Sequence, residues 1–261
     1  MQLALSTSSQ VKHYLARSRT IVLPMGSTEQ HGPIGLIGTD TLCAQAIARA
    51  LGTTRGVLIA PPIALTVAQF NMGFPGTVTV RASTLLALML DVLHSLADQG
   101  FERVYVLNGH GANIAVARAA FQDFYLDRGR MQGMVPRCRL RSWWEYPEVD
   151  RLRRQWYGVH EGMHATPSEL SIVMAVEPEA GAAARVEGES LAVQAPKPLD
   201  TAFLRDHAGD NHFDAASHRA AFPDGRVGSD SRLACREHGE ALLAAAVADA
   251  ARDLAAFEAE H

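Results

Sequence analysis

Short β-rich apolar runs alternate along this chain with stretches of helical period, and that alternation restricts the possible folds more than any other feature. The first run is Thr20-Ile-Val-Leu-Pro-Met25, closed by Gly26. A helical pattern follows, with Leu42, Ala46, Ile47 and Ala50 on one face, Thr39 as its expected cap and Gly52 as its expected stop. Gly56-Val-Leu-Ile-Ala60 reads as a second strand ended by Pro61-Pro62. Ser83 to Gln99 reads as a helix carrying Leu86, Leu90, Leu93 and Ala97, stopped by Gly100. Arg103-Val-Tyr-Val-Leu107 predicts a third strand, Val116, Ala120 and Phe124 mark the next helix, and residues 133–144 predict a fourth strand. Strand–helix alternation of this kind implies an α/β fold, a mostly parallel sheet with helices on both faces. Residues 181–230, rich in Ala, Pro, Asp and Gly, predict a loop-dominated region. Ser231 to Glu258 predicts a long amphipathic helix with Leu233, Leu242, Leu243, Val247 and Leu254. No internal repeat or linker interrupts the pattern, so the expectation is a single domain over residues 1–261, a length that one core can serve.

Composition narrows the function classes. With 48% apolar and 20% charged residues, the balance is that of a folded globular chain. A formal charge of −4 offers no basic footprint for nucleic acid or anionic lipid. No apolar run is long enough for a membrane helix, and Met1 to Arg17 lacks the order of a secretory signal, so a cytoplasmic protein is expected. The three cysteines, Cys43, Cys138 and Cys235, fit neither a disulfide framework nor a zinc knuckle and read as buried structural thiols.

Histidine is the informative residue type. In open α/β sheets, ligands sit outside the carboxyl ends of the strands. Two histidine-bearing loops fall there: Gly26-Ser-Thr-Glu-Gln-His31 after the first strand and Asn108-Gly-His110 after the third. Glu161-Gly-Met-His164, with Glu169 beyond it, follows the fourth strand at some distance, and Asp40 stands at the start of the first long helix. Glu29 and His31, as i and i+2 on an extended loop, can point the same way. Carboxylates with imidazoles suit zinc, manganese or iron. A shared carboxylate with ligands on each side is the minimal pattern for two metals that activate water and polarise a carbonyl. Each residue also has an ordinary explanation: a hydrogen-bonded turn for each histidine, helix capping for Asp40, and a first-turn carboxylate favoured by the helix dipole for Glu169.

The motifs that surround these residues resemble the creatininase family. They are Leu23-Pro-Met-Gly-Ser-Thr-Glu-Gln-His-Gly-Pro33 with Gly38-Thr-Asp40, Phe74-Pro-Gly-Thr77, Asn108-Gly-His-Gly-Ala-Asn113, His164 with Glu169, and Arg226-Val-Gly-Ser-Asp-Ser-Arg-Leu-Ala234 with Glu237-His-Gly239. They occur in order across about residues 18–245. The resemblance implies a parallel α/β fold, a metal centre that is often binuclear, hydrolysis of amide C–N bonds, and homo-oligomers, commonly hexamers. It implies that Glu29 and His31 each bind one metal, that Asp40 bridges, that His110 completes one set and that Glu169 serves the second metal. His164 matches a proton carrier near the substrate. Trp144, Gly111 and Thr77 are the positions implied to contact substrate.

Three departures qualify the likeness. Ile34-Gly-Leu36 stands where the family usually has His-Leu-Pro, and Ala165-Thr-Pro-Ser168 replaces an acidic stretch. Gly111-Ala112 replaces a Tyr and a ligating Glu, which argues against creatinine itself as substrate. The expectation is therefore a metal-dependent hydrolase that cleaves a small, cyclic amide by a metal-bound hydroxide, with two divalent ions (zinc, manganese or iron). His164, whose free pKa near 6.5 suits the task, would protonate the leaving nitrogen. The alternatives are a deformylase or peptide-trimming amidase of the same family, and a non-catalytic metal-binding relative.

Overall fold

The apolar runs form one parallel sheet whose two faces are both covered. The computed structural model describes residues 1–130, 134–189 and 214–260. Strands β1 (Thr20–Met25), β2 (Leu58–Ile59), β3 (Arg103–Asn108) and β4 (Arg137–Ser142) lie in the order β2-β1-β3-β4, every neighbouring pair parallel. Side chains alternate across a strand, so a strand buried on both faces reads as a continuous apolar run. Ile21, Leu23 and Met25, with Val104 and Val106, enter one core. There they meet Tyr14 of α1 (Ser8–Leu15), Leu85, Met89 and Leu93 of α3 (Ala82–Asp98), and Ala117, Ala120 and Phe124 of α4 (Asn113–Arg130). Val22, Tyr105 and Leu107 enter the other core, under α2 (Thr39–Arg55), α5 (Pro147–Trp156), α6 (Pro167–Val176) and the C-terminal helix, labelled α9 (Arg236–Ala259). The α/β architecture with helices on both faces is thus as expected.

Boundaries differ where glycine was read as a stop. Gly52 lies inside α2, because the helix crosses β2 so closely that a Cβ there would sit 2.8 Å from Ile59 Cγ1. The helix ends three residues later at Arg55 and is capped by Gly56, which adopts φ +67°, so β2 is shorter than Gly56 to Ala60. Gly38, not Thr39, holds the cap position of α2, and the Thr39 hydroxyl donates to the Leu36 carbonyl. β4 is confined to Arg137–Ser142, and residue 133 lies outside the described residues.

The region read as loop-dominated contains helix. α7 (Pro178–Glu189) is rich in alanine, a strong helix former, and its Gly181 and Gly188 are buried packing positions. α8 (Ala215–Ala221) follows, capped by Asp214, whose carboxylate accepts from the Ala216 and Ser217 amides; residues 190–213 lie outside the described residues. The C-terminal helix starts at Arg236, five residues later than expected. Asp230 accepts from Arg232 N–H and holds Ser231–Leu233 in a separate 3-10 turn that leaves Leu233 exposed. Leu242, Ala246, Ala250, Leu254 and Phe257 of α9 are buried against the chain's own core, with Leu243 and Val247 packed partly against it. Of the thiols, Cys43 is buried and Cys138 and Cys235 are only half-buried; all three are free. No described helix is long and apolar enough to cross a membrane.

α6 and α9 touch through glycine. A Cβ on Gly239 would lie 1.8 Å from the Ser171 carbonyl oxygen. Gly239→Ala is therefore expected to cost about 3 kcal/mol, the upper end for an overpacked core. For a chain of this size that lowers Tm by roughly 6–12 °C. Differential scanning calorimetry checks it, and an unchanged Tm would show that the two helices can separate without loss.

Candidate metal centre

The strands end level with one another. Met25 pairs with Asn108, and Asn108 with Ser142, so three loops leave the sheet side by side. The first turn of α2 closes over them, because Gly26 and Gly109 carry no side chain. A Cβ on Gly26 would lie 2.4 Å from Thr41 Cα, and one on Gly109 would lie 2.2 Å from the Asp40 carbonyl oxygen. Asp40 thereby sits at the positive end of the helix, between the loops that carry Glu29, His31 and His110. Glu29 and His31 are fully buried, Asp40 and His110 nearly so.

Each histidine is oriented by a backbone carbonyl, which can only accept. His110 Nε2 donates to Val67 at 2.9 Å, His31 Nδ1 to Glu29 at 3.0 Å and His164 Nε2 to Gln30 at 2.7 Å. In the neutral rings the opposite nitrogens are therefore bare lone pairs. His110 Nδ1 lies 3.0 Å from Asp40 Oδ2 and 3.1 Å from Glu29 Oε1. His31 Nε2 lies 3.1 Å from Asp40 Oδ1 and 3.8 Å from Glu169 Oε2. Glu29 Oε1 and Asp40 Oδ2 are buried oxygens with no hydrogen-bond donor among the described residues. Lone pairs pointed at one another need a positive charge between them, a proton or a metal ion. Donor atoms around a tetrahedral ion bound at about 2.1 Å stand about 3.4 Å apart, a spacing within the range here. Two such groups form, Glu29 with Asp40 and His110, and His31 with Asp40 and Glu169; Glu29, His31 and His164 make a third. Asp40 gives a different oxygen to each of the first two.

The charges behave accordingly. Burial alone would depress the His31 ring, but Asp40, Glu169 and Glu29 outweigh it and push its pKa up to about 9. The same contest, won by Glu29 and Asp40, raises His110 well above the ordinary imidazole value. Burial would raise Asp40, yet His31 and His110 hold it far below the usual carboxylate range. Burial, helped by Asp40 and Glu161, takes Glu169 up to about 8 against the opposing pull of His31. Without a metal, protons occupy the place of the ions, and metal binding displaces them. His164 moves oppositely: burial and the neighbouring His31 lower it to about 4, so its resting ring is neutral rather than poised near 6.5.

A cavity of about 320 Å³ opens onto this cluster, lined by Asp40, His110, His164 and Glu169 and by Gly111, Trp143, Trp144 and Arg153. Of the positions expected to contact substrate, Gly111 and Trp144 line it. Thr77 does not: it is buried, and its Oγ1 accepts the Gln30 amide at 3.1 Å, which ties the Glu29 loop to the Phe74-to-Thr77 segment. Glu169 forms a capping box with Thr166 at the start of α6, and the carboxylate's other neighbour is the His31 ring of the cluster. Ala165, between His164 and that cap, adopts φ +54°, a conformation unusual for a residue with a side chain. A larger groove of about 600 Å³, where Leu88 and Asp91 of α3 meet Pro61 to Leu65, is almost wholly apolar and carries no titratable cluster.

Sequence reasoning missed the amides that hold the cluster. Asn71 Nδ2 donates to Glu29 Oε2 at 2.9 Å, and Asn71 Oδ1 accepts from Gln30 Nε2 at 2.7 Å. Asn108 Oδ1 accepts from the His110 amide and from Asn113 Nδ2, which also donates to the Gly26 carbonyl. The available signal was the asparagine on each side of the His110 loop, since such residues hydrogen-bond their own turns.

Comparison with known proteins gives a consistent picture. The family model described as Creatininase: Creatinine amidohydrolase matches residues 4–254. A mycofactocin precursor peptide peptidase from Mycobacterium ulcerans (strain Agy99) is 38% identical over 131 residues, 47% of this chain and 51% of that protein. One from Mycolicibacterium smegmatis (strain ATCC 700084 / mc(2)155) is 31% identical over 183 residues, 68% of this chain and 64% of that protein. The chain thus spans between half and two-thirds of the length of these relatives. A solved creatinine amidohydrolase (creatininase) superposes with a TM-score of 0.81 at 21% identity, covering 100% of this chain and 98% of that one, which is a likeness of fold.

Proposed function

The chain belongs to the creatininase family, and from that membership we propose that it is a metal-dependent amidohydrolase acting at the Asp40 cluster. The observation that carries this reading is the pair of Asp40 oxygens, each facing a ring nitrogen of a different histidine at 3.0–3.1 Å. Glu29, Asp40 and His110 would hold one divalent ion, and His31, Asp40 and Glu169 the second. Glu169 takes the place of the ligand that Ala112 cannot supply. An all-oxygen-and-imidazole set suits zinc, manganese or iron. When bound, such ions polarise a carbonyl and provide a nucleophilic water at neutral pH.

The remaining work belongs to the chain's own residues. His164 Nδ1 is free, because its Nε2 proton is committed to the Gln30 carbonyl, and it lies 3.6 Å from Glu29 Oε1. A neutral ring there receives a proton from the attacking water and passes it to the leaving nitrogen, which cannot depart as a bare anion. Trp143 and Trp144 wall the cavity and exclude water from one side.

Two substrate classes compete, the small cyclic amide expected from sequence and a linear, peptide-like amide. The second is favoured by one observation: a Cβ on Gly111 would meet nothing within 4 Å, so the cavity is open where the family's Tyr and Glu would stand. The names of the two relatives point the same way. Assembly as a homo-oligomer, a hexamer in particular, rests on family resemblance.

The test is elemental analysis with an amide-hydrolysis screen before and after chelation. Divalent metal bound to the purified chain, and activity lost on chelation and regained on metal addition, is the expected result. Full activity in exhaustively chelated, metal-free protein would overturn the reading. Bound metal with no cleavage of either substrate class would favour a non-catalytic role.

A further inference from the structure

One cation other than histidine lines the cavity among the described residues. Arg153 projects from α5, its side chain only 16% exposed. Its Nε donates to Glu161 Oε1 at 2.7 Å and lies 3.3 Å from Ser168 Oγ. Its Nη1 donates to the Trp144 carbonyl at 3.0 Å, and its guanidinium carbon lies 6.0 Å from the Trp143 ring centre. Nη2 has no hydrogen-bond partner among the described residues. A long, flexible side chain has thus been fixed at the cavity wall through two of its three nitrogens, and the two N–H groups of the third remain uncommitted.

We propose that Arg153 is a specificity-determining residue that binds a carboxylate on the substrate, so that the preferred amide carries a free carboxylate on its leaving-amine side. This rests on the reading of the Asp40 cluster as an amide-hydrolysing centre. A planar guanidinium with its geometry set beforehand matches carboxylate better than any other side chain does. Glu161 balances the formal charge of Arg153, so recognition comes from directed N–H groups rather than from a bare positive field, and neutral molecules are not repelled.

The side of the bond follows from the chain. Glu161, which anchors Arg153, is three residues before His164, which delivers the proton to the leaving nitrogen. His164 reaches the donor cluster, its ring centre 4.5 Å from that of His31, and the segment that carries it also carries Glu161, so the anchor is tied to the segment that delivers the proton to the leaving nitrogen. The reaction is hydrolysis. Water adds its oxygen to the carbonyl carbon, the C–N bond breaks, and one water proton ends on the nitrogen. The acyl part leaves as a carboxylic acid and the amine part as an amino acid or short peptide with its own carboxylate intact.

The test uses the metal-loaded full chain and two probes, the dipeptide glycyl-phenylalanine and its C-terminal amide, with Kd read by calorimetry. The wild type is expected to bind the free acid roughly 10–100-fold more tightly, the discrimination that one charge-assisted hydrogen bond supplies. Arg153→Gln should bring the acid to the Kd of the amide and leave the amide unchanged. Equal binding of both probes by the wild type would overturn the proposal. So would a preference that survives in Arg153→Gln, because the carboxylate would then be held by the metal. If Arg153→Gln abolishes the preference but also weakens the amide, Arg153→Lys decides: a retained preference for the acid supports the anchor, and its loss refutes it. Acid preference without cleavage of any amide would sink the hydrolytic reading and leave the anchor standing. Cleavage of amides with no acid preference would do the reverse.

Discussion

Asp40→Ala is expected to lose both metals and nearly all turnover, whereas Glu169→Ala loses one metal and retains more. Asp40 Oδ1 faces His31 and Oδ2 faces His110, so its removal takes a donor from both groups at once. Glu169 serves one group and stands farther off, 3.8 Å from His31. Removing a hydrogen bond that merely supports a ligand costs about 10–100-fold in affinity or activity. Loss of a donor shared by two ions must exceed that. The substitution should leave the fold in place, since the carboxylate contributes no apolar packing. Elemental analysis of both variants, with kcat on any cleaved amide, provides the check. Metal content near wild type in Asp40→Ala would remove the bridge from the argument.

His164→Ala is expected to keep its metal and lose about 10²–10⁴ in kcat, the usual worth of a positioned proton-transfer group. His164 Nδ1 is 3.6 Å from Glu29 Oε1 but belongs to neither of the two donor groups that share Asp40. With its pKa held near 4 by burial and His31, the ring carries no proton at rest near pH 7 and can deliver only one it has just received. The profile of kcat against pH should then lack a His164 limb between about 5 and 8. His160→Ala is the matched control: it removes a histidine four residues away that does not line the cavity. Metal loss in the His164 variant would make that residue a ligand, and an unchanged kcat would take it out of the mechanism.

The sheet was legible because Ile21 to Met25 and Val104 to Leu107 are apolar without interruption, as strands covered on both faces must be. The convergence of Glu29, His31, Asp40 and His110 was legible from their place at strand ends, since Met25 and Asn108 finish in register. What stayed hidden depends on distances between segments remote in sequence. Gly52 looks like a helix stop until Ile59 is seen against it, and Gly188 looks like a loop residue until the Pro33 carbonyl, 2.0 Å from its missing Cβ, explains it. Thr77 carries a motif but spends its hydroxyl on Gln30 rather than on a substrate. Arg153 belongs to no motif, and only the cavity makes it conspicuous.

The three carbonyls that orient the histidines, at Val67, Glu29 and Gln30, belong to the main chain. Every amino acid supplies the same oxygen, so no substitution of a neighbouring side chain deletes the acceptor that fixes each ring. Protonation of the cluster is inherited with the backbone path, while the cavity walls at Gly111, Trp144 and Arg153 remain free to drift. A lineage built this way can change what it cleaves by accumulating wall substitutions without passing through forms that have lost their chemistry.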